Sequence, residues 1–596
     1  MSDSPGFSRR NFMKRLGTGS LALTLAPVMG RSAAAAGPHG GGVSSSGAGG
    51  TPFELPRFFD CNRYLGPGFS TVPDFPTPAS LVEEMDRLHI DRSLVWHTDA
   101  RTAHPLNGNE RLIKALADAE GGDRLVPAFV VAPSVSVAGP EHDAFVELVH
   151  RHDVRAFRYF PRSGEGGLED LNPLIERLAS RRPVLLLDCF ESMGRGANLG
   201  RIIGFAERHP NLTLIFTNAM WVHHDRLYEL MAARPNIRME TSLVHTYRTV
   251  EHVVEKFGAE RMLFGTGYRS NYGAAIANLV HSPMTAAQRE QVAHGNVEQL
   301  LQVRRPLRGG QTLQGDTLWH RLLRREVLGP LIIDAHAHMG YGGEWEDHHR
   351  PEFADHMSSA LRYLDEMGVQ RMIIAEHQTY RDGELGGLTR LEAGLADHRD
   401  RFNAYLSAQV FLQWDQPPTT AQLDEIFRRG FYVGFKTHTD HWQVPLTDER
   451  FIPMWEYANR HRLPILSHTW TTPNASPKLL REIAPRYPDA FFLLAHSGNR
   501  DRDVVEELMQ DNLNVYLEWA GSFVNPDDWR PVMDRQGNQR ILWGADGVGW
   551  EHRWGHSPAW EMGRFLSIGL SDERLIPMLG ANMQRILAKN RFIDKS

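Results

Sequence analysis

Short apolar runs, each bounded by polar or turn-forming residues, recur along the chain and alternate with longer stretches whose apolar positions fall at helical spacing. In the C-terminal half the runs occupy 331–338, 371–376, 403–410, 431–436, 464–468, 491–496, 514–518 and 541–546. Between them, Phe451, Met454, Trp455, Tyr457 and Ala458 mark one helical face, and Val505, Leu508 and Met509 mark another. Buried strand alternating with helix eight times predicts a closed parallel barrel of about 250 residues. The N-terminal half yields the same eight runs between 57 and 267.

The two halves overlay element by element. Arg57-Phe58-Phe59-Asp60-Cys61-Asn62-Arg63-Tyr64 lies against Leu331-Ile332-Ile333-Asp334-Ala335-His336-Ala337-His338, and Ala156-Phe157-Arg158 against Gly434-Phe435-Lys436. Further on, Pro183-Val184-Leu185 matches Pro464-Ile465-Leu466, Glu240 matches Glu518, and Gly295-Asn296 falls near Ala581-Asn582. The chain therefore reads as an α/β protein of two tandem (β/α)8 TIM-type barrels. The expected domains are 53–303 and 326–596, with 304–325 and its Pro-Leu-Arg-Gly-Gly as linker.

Length and composition fit this picture. The 596 residues exceed one ordinary core. A content of 41% hydrophobic and 23% charged residues is that of a soluble globular protein, which argues against general disorder. The formal charge of −7 and the lack of a later Lys/Arg run argue against a nucleic-acid partner. Residues 1–36 differ from the rest: Arg9-Arg10-Asn11-Phe12 precedes a short, weakly apolar run and Ala33 to Ala36. That order predicts a twin-arginine export signal, hence a periplasmic or secreted location without a membrane anchor. The Gly/Ser-rich stretch 37–52 should be a flexible tether.

In such a barrel the chemistry sits at the C-terminal ends of the strands. There the second copy places His336 and His338 on strand 1, His468 on strand 5, His496 on strand 6 and Asp546 on strand 8. Imidazoles at i and i+2 share a face, and neutral imidazole with carboxylate suits zinc and related divalent ions. Lys436 ends strand 4, where a salt bridge or a contact with a substrate carboxylate is its ordinary role. His348, His349, His438 and His441 read as loop residues and non-ligands. Trp470, Trp519 and Trp550 fit either a pocket wall or core filling, and Arg500 and Arg553 read as exposed. Glu518, shared with the first copy as Glu240, reads as structural.

Asp334-Ala335-His336-Ala337-His338, the strand-5 and strand-6 histidines, the strand-8 Asp and the closing Asn582 resemble the amidohydrolase superfamily, in its aminocarboxymuconate semialdehyde decarboxylase-like branch. The resemblance implies one divalent metal, usually zinc, on His336, His338, His468 and Asp546. It implies His496 as the catalytic histidine and a second role for Asp546 as proton acceptor. Some members place a carboxylated lysine at the position of Lys436, where it bridges two metals. The implied function is hydrolysis of an amide, ester or lactone of a small molecule by metal-bound hydroxide. Nonoxidative decarboxylation is the alternative, and a non-catalytic binding or scaffold protein is the reading of another class.

The first copy departs from the pattern, with Asn62, Tyr64, Leu187, Asn218 and Gly267 set against His336, His338, His468, His496 and Asp546. It is expected to hold no metal and to pack against or shape the second, with further oligomerisation left open. Cys61 and Cys189 are expected to stay unpaired, Cys61 facing outward from strand 1 and Cys189 lying past strand 5.

Overall fold

The computed structural model describes residues 53–66, 75–161, 167–193, 198–268, 271, 273–339, 353–377, 379, 386–413, 417–499, 501–521, 526–547 and 556–592. The signal and tether expected before residue 53 lie outside them. In the first half the strands are β1 (Phe59–Leu65), β2 (Arg92–His97), β3 (Leu125–Val131), β4 (Ala156–Tyr159), β5 (Val184–Asp188), β6 (Thr213–Thr217), β7 (Ile237–Glu240) and β8 (Met262–Leu263). In the second half they are β9 (Ile333–Met339), β10 (Arg371–Glu376), β11 (Phe402–Ser407), β12 (Tyr432–Thr437), β13 (Pro464–His468), β14 (Phe491–Ala495), β15 (Val515–Glu518) and β16 (Ile541–Leu542). Each half forms a parallel sheet in sequential order, as eight alternations of strand and helix predict. The first barrel closes where the Cys61 N–H donates to Phe264 O at 2.9 Å. The second closes where the Ala335 N–H donates to Trp543 O at 3.2 Å.

The helical faces read from spacing are the buried ones. Met454, Trp455, Tyr457 and Ala458 are buried on Ile452–His461, and Val505, Leu508 and Met509 on Arg502–Asp511. Both copies use the same backbone anchors. The Asn296 amide donates to the carbonyls of Ala259 and Met262, both at 2.7 Å. The Asn582 amide does the same to Asn538 at 2.6 Å and Ile541 at 2.7 Å, each side chain satisfying one carbonyl ahead of the last strand and one at its first residue. Among the described residues no helix is long and apolar enough to cross a membrane.

Among the described strand pairs the register shifts three times, one of them between β11 and β12 at Ala404 and Tyr405. The other two fall between Asp60 and Arg63 of β1, and in β9 between the residues opposite Met372 and Ile374. A bulge of this kind puts an extra residue on one face. It corrects the expectation for Cys61, which packs inside the barrel with Phe59, Leu94, Ala128 and Leu186, not outward. Cys189 packs in the layer outside the barrel wall. Both cysteines are free and buried, and burial pushes both thiols well above their ordinary pKa.

The apolar layer outside the sheets runs on from the first barrel into the second. Helix Ala274–His281 of the first barrel lies against helix Pro558–Leu566 of the second, whose residues are all buried. The helices meet closely at Gly563, where a Cβ would stand 2.4 Å from the Ala277 Cβ and 3.0 Å from Gly273 O. Gly563→Ala therefore sets about 1 kcal/mol of better helix propensity against about 1–3 kcal/mol of overpacking. The expected result is a net loss of about 1 kcal/mol and a lower urea midpoint. A raised midpoint would mean that the helices are not this close.

Candidate metal centre

Strand β9 carries the first two donors. His336 and His338 share a face, and their Nε2 atoms are 3.1 Å apart. Asp546 follows β16 with its backbone in the left-handed region at φ 54°, an uncommon conformation for a residue with a side chain. Its N–H donates to His336 O at 2.8 Å. That turn brings Asp546 Oδ1 to 3.4 Å from His336 Nε2 and 3.1 Å from His338 Nε2. Ligands held tetrahedrally at zinc-like bond lengths stand about 3.4 Å from one another, so the three donors have the spacing one ion requires.

The other ring nitrogens are already engaged. Glu518 Oε2 lies 2.7 Å from His336 Nδ1, and the second Glu518 oxygen accepts from the Ala520 N–H at 2.7 Å. His338 Nδ1 lies 3.3 Å from Ala375 O. With Nδ1 held, Nε2 of each ring is the atom left for a cation, the usual arrangement around ligating histidines. Burial drives His336 well below the ordinary imidazole pKa and lowers His338, favouring the neutral form that ligates. Burial works to raise Asp546, but His336, His496 and the hydrogen bond from His338 hold it well below the carboxylate range.

His496 follows β14 with a φ of 59°. Its Nδ1 lies 3.1 Å from Ala520 O and 4.0 Å from Asp546 Oδ2. His336, His496 and Asp546 each offer one ligand atom, and these atoms lie within 4.8 Å of one another. His468 ends β13 beside them, its ring 5.0 Å from that of His496. Lys436 at the end of β12 is buried, with Nζ 2.9 Å from His336 Nε2. Burial pushes its ammonium down to about 8, against the opposing pull of Asp546 and Glu518.

Three further histidines stand at this cluster. His438 is half-buried and stacks on His468, centroids 3.9 Å apart and planes at 12°, which a reading as a surface loop did not anticipate. His441 is exposed and lies 4.1 Å from the His438 ring. His377 stacks on His338 at 5.5 Å. It was missed, although its place directly after β10 is the same strand-end signal that marked the others. Trp470 stacks on His468 at 5.8 Å, as a wall residue would. Trp519 is wholly buried with its ring against Phe565, so it packs behind the sheet. His348, His349, Arg500, Trp550 and Arg553 lie outside the described residues.

The first barrel shows what stands at the equivalent places. Asn62 donates to Asn218 Oδ1 and Glu240 Oε1, each at 3.2 Å, and the Asn218 N–H donates to Glu240 Oε1 at 2.8 Å. Arg158 occupies the place of Lys436 and donates to Asn62 Oδ1 at 2.6 Å. Strand pairing corrects one equivalence. Pro183 O receives the Thr213 N–H as Leu463 O receives that of Phe491, and Asp188 pairs with Thr217 as His468 pairs with Ala495. Asp188, not Leu187, therefore stands where His468 does. Matching Pro183 to Pro464 slipped the register by one residue, and Leu187 points to the outer layer. Asp188 lies 3.7 Å from the Arg158 guanidinium and accepts from the Asn218 amide.

No curated protein matches the chain significantly. Solved structures do. The 2,6-dihydroxybenzoate decarboxylase from Rhizobium is 14% identical, covering 43% of this chain and 98% of its own, with a TM-score of 0.34. A probable 2-pyrone-4,6-dicarboxylic acid hydrolase from Acinetobacter baumannii is 15% identical, covering 43% and 99%, with a TM-score of 0.35. The 4-oxalomesaconate hydratase from Rhodopseudomonas palustris is 12% identical, covering 41% and 95%, with a TM-score of 0.31. A family model described as Amidohydrolase matches residues 70–303 and again 333–588, once in each barrel. The chain belongs to the amidohydrolase family, as a tandem pair of its barrels.

Proposed function

We propose that the second barrel is a metal-dependent hydrolase acting on an amide, ester or lactone of a small molecule, and that the first holds no metal. The observation that carries this reading is the Glu518 carboxylate on His336 Nδ1, which turns Nε2, with Lys436 Nζ 2.9 Å from it, toward the other donors. His336, His338, His468 and Asp546 would hold one divalent ion, with zinc the first choice for an imidazole and carboxylate set. When bound, such an ion polarises a carbonyl and acidifies water. His496, its Nδ1 turned to Ala520 O, carries a proton at Nε2, and the Asp546 carboxylate accepts one. Lys436 and Trp470 bound the space in front of these groups and orient a planar or anionic substrate. The first barrel serves as a packing partner, and the twin-arginine segment places the folded protein outside the cytoplasm.

The test uses purified full chain with δ-valerolactone, p-nitrophenyl acetate, N-acetyl amino acids and 2,6-dihydroxybenzoate. Lactone, ester or amide turnover that a chelator stops and zinc restores is the expected result. Release of carbon dioxide from the benzoate alone would replace hydrolysis by decarboxylation. Absence of both metal and turnover would leave a binding protein.

A further inference from the structure

We infer that Arg564 is a positioning residue for His496, and that the first barrel clamps the helix on which Arg564 sits. The inference rests on the reading of His496 as proton carrier. Arg564 lies on Pro558–Leu566, wholly buried, with Nη1 3.5 Å from the equally buried Glu561. The same Nη1 donates to the carbonyl of Gly521. The preceding carbonyl, that of Ala520, is the one that faces His496 Nδ1. Gly521 has a φ of 104° and leaves no room for a side chain, since a Cβ there would stand 2.9 Å from His496 Nδ1. The tilt of the His496 ring thus depends on two successive carbonyls, one of them fixed by a buried guanidinium.

The other end of this network is held by the first barrel. Glu561 Oε1 lies 3.3 Å from His556 Nδ1, and the His556 ring meets His245 of the first barrel edge-on at 4.8 Å. The Ser557 N–H donates to His245 O and its hydroxyl to Asn278 Oδ1, both at 2.6 Å. Thr246 and His556 form an isolated antiparallel bridge. A buried ion pair in helix packing is a poor source of stability, because desolvation offsets the attraction. Its use here is to aim a hydrogen-bond donor at one loop. A degenerate barrel that tethers the start of the helix accounts for why the pair remains fixed.

The test compares Arg564→Met, Arg564→Lys and the double variant Glu561→Leu/Arg564→Met in the full chain; the last leaves no unpaired buried charge if the first fails to fold. Amide exchange of the segment 518–521 should rise in both variants lacking the guanidinium and stay slow in Arg564→Lys. Metal content should not change. With the substrate turned over, kcat should fall about 10- to 100-fold while KM stays within about twofold, the cost of a misaimed group, and Arg564→Lys should recover part of it. Asn278→Ala, made in the first barrel, should raise exchange of the same segment. Unchanged exchange in the double variant overturns the role of Arg564, and unchanged exchange in Asn278→Ala overturns that of the first barrel. If the unaltered chain binds no metal and turns nothing over, the functional reading fails, yet the exchange comparison still decides the positioning.

Discussion

The unaltered protein should purify with close to one divalent ion per chain, and chains in which His336 and His338 are both alanine should purify without it. These residues supply two of the three donor atoms spaced for one ion, with Nε2 atoms 3.1 Å apart and Asp546 Oδ1 within 3.4 Å of both. With both removed, a carboxylate and more distant rings remain, too few for a tight site. Elemental analysis reads the result, and turnover should fall to background with the metal. A milder change separates ligand from support: Glu518→Gln keeps every donor but weakens the hydrogen bond that fixes His336, so affinity should fall about 10- to 100-fold. Full occupancy in the double variant would sink the site.

The second large effect is on His496, whose change to alanine should leave the metal in place and lower kcat by about 10²- to 10⁴-fold. The geometry makes this a sharp choice, because His336, His496 and Asp546 also have ligand atoms near enough to share an ion. A ligand and a proton carrier give opposite results. If His496→Ala loses its metal, His496 belongs to the ligand set and the proton must travel through another group. If metal and turnover both persist, it has neither role.

The alternation of apolar runs sufficed for both barrels, because strand and helix periods are local properties of the sequence. The donors were legible for a related reason: β9 puts His336 and His338 on one face by spacing alone. What escaped were quantities set by pairing between distant strands. The slip at Asp188 arose because proline matched proline, whereas register is fixed by which carbonyl Thr213 reaches. Cys61 turned inward because of a bulge that no residue type announces. Glu518 was read as structural because Glu240 shares its position. The structure shows that both reach the strand-1 residue at the barrel mouth, a histidine in one copy and Asn62 in the other. His438 escaped because ring stacking between a loop and a neighbouring strand end has no linear signature.

Arg158 gives the first barrel a guanidinium where its neighbour has the Lys436 ammonium, which burial pushes down to about 8. Its guanidinium lies between Asp188 and Asn62, at the barrel mouth where the second copy gathers its donors. It brings a positive charge to this cluster on a side chain joined covalently to the backbone. A tethered cation has no dissociation constant: neither dilution nor a chelator removes it, and metal starvation leaves it in place. One half of the molecule thus carries its counter-charge from the ribosome onward, while on the proposed function the other would add a metal ion from solution. Under chelation the two halves should part company in thermal unfolding, the second softening while the first holds.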